Sequence, residues 1–475
     1  MKKKSNGKFR ARLNCRGYEQ VPGVHYDEKS IASPVVSFIT IRIALILMLV
    51  GNMRGEILDV RGAFLKGTFG NGEILYMHVP QGMEHHYPGR NIVLLLLKTI
   101  YGLKQAAYRF WIYLLLIVRQ LGCERSKADP CLYYKWTNNG SLLLWLSWVD
   151  DCFLIGPDDD VMTLKQQIMD TVDCDDGGEL TEYVGCKLDW DKVKRSLKFT
   201  QPVLLQSFKD EFNTEGSEMP VTPGIPMKTL QLGDKEPVTG ARRTYYRSGV
   251  GKLMHLRRWS RPDMANAVRD LSRYNTNSSE EHINAMHRAM RYAMSTPNRG
   301  LTLSPSCVWD GDPSYEFRIR GAADASYKPY EDSGPSVSGY AVFLEDAPVS
   351  EKSNVQQCTT LSVTEAELVS GSQCAQDMLF AMRVLESIGL KVQKPMLLYI
   401  DNKGAVDYVN NWSTSGRMRH VGIRLNFMQE LKEQNLIHVV WCKSEDMTAD
   451  LFTKNLSGPL FNKHTKAFCG HDEYM

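Results

Sequence analysis

The chain has 475 residues, enough for roughly three domains of ~150 residues, and its hydrophobic share of 43% can fill several cores. A net charge of +3 excludes an overall polycation, although residues 1–16 gather Lys2, Lys3, Lys4, Lys8, Arg10, Arg12 and Arg16 without an acid; such a run is a solvated arm or a phosphate contact. Eleven cysteines with no Cys-x-x-Cys pair exclude a zinc knuckle and a disulfide scaffold, so they read as reduced packing thiols, with His464 and Cys469 an isolated pair.

The lysine-rich start lacks the apolar core of a signal peptide. The longest apolar stretch, 39–50, is broken by Arg42 and too short to span a bilayer. A soluble, intracellular protein without membrane contact is expected. Residues 35–50 predict a buried amphipathic helix, and strands follow at 55–60 and 73–79. An apolar run at 92–97 precedes Tyr101-Gly102-Leu103-Lys104-Gln105, which leads into a helix through Leu121. Residues 141–148 and 152–155 flank Asp150-Asp151, the pattern of a hairpin with acids at its tip. Asp158, Asp159 and Asp160 read as a surface loop.

Pro220, Pro223 and Pro226 exclude regular helix or central strand and mark a linker. Helices are predicted at 244–257, 262–274 and 279–295. Ser278 or Ser279 caps the last, Glu280 and Glu281 favour its positive N-terminus, and Pro297 stops it. Ile283, Met286, Met290 and Ala293 form its core stripe. Gly300, Pro305, Gly311 and Pro313 mark a boundary, and from about 315 the order is strand, strand, strand, helix, strand, helix, helix, strand, helix. Such alternation predicts an α/β domain with a mixed sheet.

The chemistry lies in the acids. Asp59 and Asp150-Asp151 each sit at the end of, or in the turn between, apolar β-prone runs. Carboxylates beside hydrophobic strands are costly unless something pairs with them. A divalent metal is the usual solution, oxygen ligands favour Mg²⁺ or Mn²⁺, and phosphoryl transfer is the chemistry suggested. Four more positions lie at element ends: Asp324 after a strand at 315–319, Glu365 and Glu367 opening a helix, Asp401 ending a strand at 396–400, and Asp450 near the last helix. Ser362-Val363-Thr364-Glu365 is a capping box in which Glu365 folds back onto the Ser362 amide. At ~100° per residue Glu367 points roughly the opposite way, which makes Glu367 the candidate ligand. Any one of these acids alone reads as a surface carboxylate; four recurring in one α/β unit do not.

Taken in order, the motifs resemble the reverse transcriptase–ribonuclease H part of a copia-type LTR retrotransposon polyprotein. The resemblance runs from Lys8 to Leu456. It is carried by Lys8-Phe9-Arg10-Ala11-Arg12-Leu13, Arg16-Gly17-Tyr18, Leu58-Asp59-Val60, Ala63-Phe64-Leu65, Tyr101-Gly102-Leu103-Lys104-Gln105-Ala106, Val149-Asp150-Asp151 and Arg261-Pro262-Asp263. Ser338-Gly339-Tyr340, Thr364-Glu365-Ala366-Glu367, Asp401-Asn402 and Ala449-Asp450-Leu451-Phe452-Thr453-Lys454 complete it.

The resemblance implies an α+β palm/fingers polymerase domain with a helical thumb/connection, then an α/β ribonuclease H-like domain with a mixed sheet. Fingers and palm would span 1–219, linker and thumb/connection 220–314, the nuclease 315–456 and a C-terminal tail 457–475. It implies polymerase metals on Asp59, Asp150 and Asp151, and nuclease metals on Asp324, Glu367, Asp401 and Asp450, with two Mg²⁺ (or Mn²⁺) ions at each site. Phe64 would exclude a ribose 2′-hydroxyl, Gln105 would lie near the incoming nucleotide and Arg12 would contact its triphosphate. The alternatives are core packing for Phe64 and surface polarity for Gln105 and Arg12. His420 reads as a structural histidine at a helix start. RNA template, DNA primer, RNA–DNA hybrid and deoxynucleoside triphosphates are the implied partners, and cytoplasm, virus-like particles or nucleus the implied locations.

Against the family pattern, Met1 falls inside the fingers, Trp148 replaces a tyrosine, Ala107 a proline and Ser326 a second acid. Two further expectations therefore stand beside the polymerase: a relic keeping only the nuclease, or one that binds nucleic acid without turnover.

Overall fold

The computed structural model describes residues 2–3, 9–10, 12–70, 72–89, 91–212, 214, 219–232, 236–330, 334–411 and 422–470. The chain forms two compact units, Met1–Ser37 with Met53–Glu179, and Phe38–Asn52 with Leu180–Met475. These units do not follow the expected domain boundaries. Residues 38–52, which include helix α1 (Phe38–Val50), are an element of the second unit.

The first unit is built on a six-stranded antiparallel sheet. Its strands are β1 (Arg54–Val60), β2 (Glu124–Arg125), β3 (Leu132–Trp136), β4 (Leu142–Trp148), β5 (Asp151–Gly156) and β6 (Cys174–Glu179), in the spatial order β6-β1-β5-β4-β3-β2. Helices α2 (Ala106–Gln120) and α3 (Asp158–Thr171) supply Phe110, Leu114, Ile117 and Val118, and Val161, Leu164 and Ile168, to the core they share with Leu58, Val60, Trp145 and Leu154. Those spacings are one helical face, which is why these segments are helices on a sheet. Asp158, Asp159 and Asp160, expected in a loop, form the first turn of α3. Their charges suit the positive end of a helix. The run at 92–97 yields only the short strand Val93–Leu95, paired with Tyr76–His78, and its side chains alternate between exposed and half-buried.

The second unit holds α1, a four-stranded antiparallel sheet (Glu182–Tyr183, Cys186–Asp191, Ser196–Thr200, Thr302–Leu303) and α4 (Pro202–Glu211). Helices α5 (Gly240–Trp259), α6 (Ala265–Arg273) and α7 (Glu280–Ser295) follow where three helices were predicted. Ser279 caps α7, its amide donating to His282 Nδ1 at 3.0 Å. A five-stranded mixed sheet comes next: β7 (Ile319–Ser326), β8 (Val337–Leu344), β9 (Ala347–Val355), β10 (Met396–Ile400) and β11 (Ile437–Trp441), ordered β9-β8-β7-β10-β11. β7 is antiparallel to β8 and parallel to β10. Helices α8 (Val363–Ser387), α9 (Lys403–Asn410), α10 (Gly422–Glu433) and α11 (Gly458–Cys469) complete the unit. The α+β first unit and the mixed sheet of the second agree with the expected fold class.

Two expectations are corrected here. Helix α1 is buried along its whole length after Phe38, not on one face, and packs against β9 and α8. Arg42 survives inside it through a bidentate ion pair with Glu351 of β9. The segment expected as a tail contains α11, whose Phe461 and Phe468 are core residues of the unit. Among the described residues no helix is long and apolar enough to cross a membrane.

Candidate metal centres

In the first unit the sheet register brings the acids together. Asp59 of β1 stands opposite Asp151 of β5, while Leu58 and Val60 on either side of it are buried. The Trp148↔Asp151 pair closes the β4–β5 hairpin on Val149 and Asp150, and the Asp150 carbonyl accepts from Val60 N–H at 2.9 Å. Val149 takes φ 58°, a conformation costly for a β-branched residue. Burial, then the charges of Asp150 and Asp59, push the Asp151 carboxyl up to about 6. Sequence reasoning missed Asp175, which faces Asp59 from β6 and is held by Arg61 Nε at 2.7 Å. Only the register of a strand more than a hundred residues away reveals it.

Beside this centre, Phe64 packs edge-on to Tyr101 with ring centroids 5.1 Å apart, and the Arg12 guanidinium lies 5.0 Å over the same Tyr101 ring. Cys15 N–H donates to the Tyr101 carbonyl at 2.8 Å. A side chain on Gly17 would meet the Gly102 oxygen at 2.0 Å, so the Arg16-Gly17-Tyr18 motif is a close-approach site. Gln105 is a correction. It is fully buried, accepting from Gln20 Nε2 at 3.0 Å and donating to the His25 carbonyl at 3.2 Å. It is thus not the surface polar residue of the alternative reading. His420 lies outside the described residues.

In the second unit the parallel register of β7 and β10 pairs Ala323 with Ile400, which sets Asp324 beside Asp401. Asp324 lies within β7, not after a strand ending at 319. Glu367 reaches them from α8, which Ser362 caps by accepting from Glu365 N–H. The Glu365 carboxylate accepts from Leu361 N–H at 2.7 Å, one residue before the amide expected. Ligand oxygens of Asp324, Glu367 and Asp401 all lie within 4.8 Å of one another. Among the described residues, Asp59, Asp150 and Asp151 form no such group.

The trio's electrostatics call for a cation. Glu367 is 2% exposed, and its Oε2 has no hydrogen-bond partner. Burial, then Asp324 and Asp401, hold the Glu367 carboxyl well above the usual carboxylate range; burial and Asp324 raise Asp401. An orphaned buried carboxylate oxygen facing two others fits a divalent ion. Asp401 is oriented by Ser444 Oγ at 2.9 Å, and the Asn402 side chain caps α9.

Asp450 does not join the trio. Its Oδ1 accepts from Lys454 Nζ at 2.7 Å, and the same ammonium lies 3.2 Å from Asp324 Oδ1. Burial and Asp324 raise the Asp450 carboxyl to about 7 against the lowering pull of Lys454. Thr453 Oγ1 donates to the other Asp324 oxygen, Oδ2. Gly339, the register partner of Asp324, makes this approach possible: a Cβ there would meet Thr453 Cγ2 at 2.5 Å. Lys454 carried no role in the sequence reading; its spacing of four from Asp450 was the available signal.

Residues 1–226 match the family described as "Reverse transcriptase (RNA-dependent DNA polymerase)". The Retrovirus-related Pol polyprotein from transposon TNT 1-94 of Nicotiana tabacum is 30% identical over 455 residues, 94% of this chain. That from transposon RE1 of Arabidopsis thaliana is 30% identical over 462 residues, 96% of this chain. The chain is a relative of copia-type retrotransposon Pol polyproteins. It spans about a third of the length of these relatives, 33% and 30%. A foamy viral protease-reverse transcriptase solved with double-stranded DNA aligns over 93% of this chain and 64% of that one, at 11% identity and a TM-score of 0.47.

Proposed function

We propose that this Pol-related chain is an RNA-directed DNA polymerase with ribonuclease H activity, each centre transferring phosphoryl groups by a two-metal mechanism. The observation that carries the reading is the convergence of Asp324, Glu367 and Asp401 around an unpartnered Glu367 oxygen. When bound, Mg²⁺ or Mn²⁺ would activate the attacking oxygen and stabilise the charge developing on the leaving one.

The chain's own residues set up both reactions. In the second unit, Ser444 fixes Asp401, Thr453 takes one Asp324 oxygen and α8 presents Glu367, with one oxygen of each of the three acids within 4.8 Å of the others. In the first unit, Asp59, Asp150 and Asp151 are the ligands for the primer 3′-hydroxyl reaction. Phe64, braced on Tyr101, excludes a ribose 2′-hydroxyl, and Arg12, over the same ring, contacts the triphosphate. Template RNA, primer DNA and hybrid would be gripped mainly through their backbones.

The test is primer extension on RNA and cleavage of a labelled RNA–DNA hybrid, both by the full chain with Mg²⁺. Asp150→Asn with Asp151→Asn abolishes extension and spares cleavage; Asp401→Asn does the reverse. Activities indifferent to both changes would overturn the reading. A second reading, nuclease only, is favoured by the fact that, among the described residues, the ligand oxygens converge in the second unit and not in the first. Cleavage without extension by the unmutated chain would decide for it.

A further inference from the structure

We infer that Lys454 is a positioning residue that competes with a divalent ion for Asp450. The inference rests on the reading of Asp324, Glu367, Asp401 and Asp450 as metal ligands.

The chain makes one helical turn after Asp450, with Lys454 N–H donating to the Asp450 carbonyl at 3.0 Å. That turn lays the Lys454 side chain over its own i−4 carboxylate and against Asp324. Asp324 is 1% exposed and Asp450 5% exposed. Two carboxylates this deep need a counter-charge, and the ammonium supplies it. An ion joining Asp450 to the trio would bind the carboxylate that Lys454 already holds, setting two cations on one acid. Like charges at that range repel strongly. The Lys454 side chain is 40% exposed, so it has a path to solvent when an ion takes its place. At the other end of the trio, Glu367 Oε2 is buried without a hydrogen-bond partner.

The test is calorimetric titration of the full chain with Mn²⁺ in the Asp150→Asn, Asp151→Asn background, which silences the other centre. Lys454→Met is expected to bind Mn²⁺ about tenfold or more tightly than its parent, and Lys454→Arg to stay near the parent. Equal or weaker binding by Lys454→Met overturns the inference. Parent binding that Glu367→Gln and Asp401→Asn leave unchanged would instead overturn the reading of the acids as a metal site. Should Lys454→Met not fold, acylation of the Lys454 amine in the parent, followed by mass spectrometry, gives the second readout. The amine is expected to react faster in Mn²⁺ than in EDTA, and equal rates overturn the inference.

Discussion

Removing the Asp263 carboxylate is expected to destabilise the second unit more than any surface change. Asp263 and Arg261, in the Arg261-Pro262-Asp263 motif, are each 1% exposed and form a two-toothed pair at 2.9 and 2.8 Å. The other Arg261 N–H groups go to the Ala293 and Thr296 carbonyls and the Thr296 hydroxyl, so all five donors are used. Tyr292 donates its hydroxyl to Asp263 Oδ2 at 2.6 Å, and Arg299 donates to Tyr292 at 2.7 Å. In Asp263→Ala the guanidinium stays buried without its counter-charge. Breaking such a pair from one side costs about 3–5 kcal/mol. The lost Tyr292 bond is coupled to that pair and does not simply add. Replacing both partners by Arg261→Met and Asp263→Leu is expected to recover most of the loss, because no buried charge remains.

Two compact units make global denaturant unfolding a poor gauge, so native-state hydrogen exchange at α5 and α7 amides is the assay. pH gives an independent check. Burial alone would raise the Asp263 carboxyl, but Arg261, Arg299 and the Tyr292 hydrogen bond overcome it and hold it below its ordinary value. Its contribution is therefore complete above the unfolded value of about 3.9 and is lost as pH falls through the lower folded value. A loss below about 1 kcal/mol in Asp263→Ala at pH 7, the scale of exposed pairs, would refute the reasoning.

Gly339→Ala should push Thr453 off Asp324, costing about 1–3 kcal/mol and lowering hybrid cleavage; Ala at Gly251, where nothing lies within 4 Å, is the control. Asp151 has a folded value raised to about 6, so the folded unit binds more protons than the unfolded chain between about pH 4 and 6. Without metal, stability of the first unit falls as pH rises through that window, and Asp151→Asn flattens the slope in hydrogen exchange at β5. Arg42→Met removes the bidentate partner of buried Glu351 and is expected to cost the second unit about 3–5 kcal/mol, read as faster exchange along β9. Unchanged exchange there would mean that α1 does not stabilise the second unit.

Local patterns were readable; remote partners were not. The Asp150-Asp151 hairpin, α5 to α7 and the α8 cap follow from alternation, periodicity and capping residues within a few positions. Asp59 and Asp401 drew attention because each lies at the end of an apolar run, whereas Asp324 lies within β7 and Glu367 within α8. What escaped depends on contacts distant in sequence. Asp175 faces Asp59 through sheet register, and Gln105 is buried by residues 20–25. The run at 92–97 is apolar enough for a core strand, yet it lies in a two-stranded hairpin that leaves Leu95 and Leu97 exposed. Asp158, Asp159 and Asp160 look like solvent-loving loop residues, although the same charges suit the first turn of a helix.

Helix α1 bears on how the proposed nuclease must be tested. A fragment of residues 315–456 is the natural reagent, since every carboxylate of the proposed nuclease lies inside it. Yet β9, the edge strand of its sheet, is covered in the second unit by α1, and the Arg42–Glu351 pair joins residues 309 apart in sequence. Phe343 of β8 shares its core with Phe468 of α11, and Arg269 of α6 donates to the Phe452 carbonyl at 3.3 Å. Cutting at 315 and 456 would expose these apolar surfaces and strand Glu351 without its cation. An inert fragment would then report lost folding, not absent chemistry. Point substitutions in the full chain keep α1, α6 and α11 in place, so only they can assign loss of cleavage to the carboxylates.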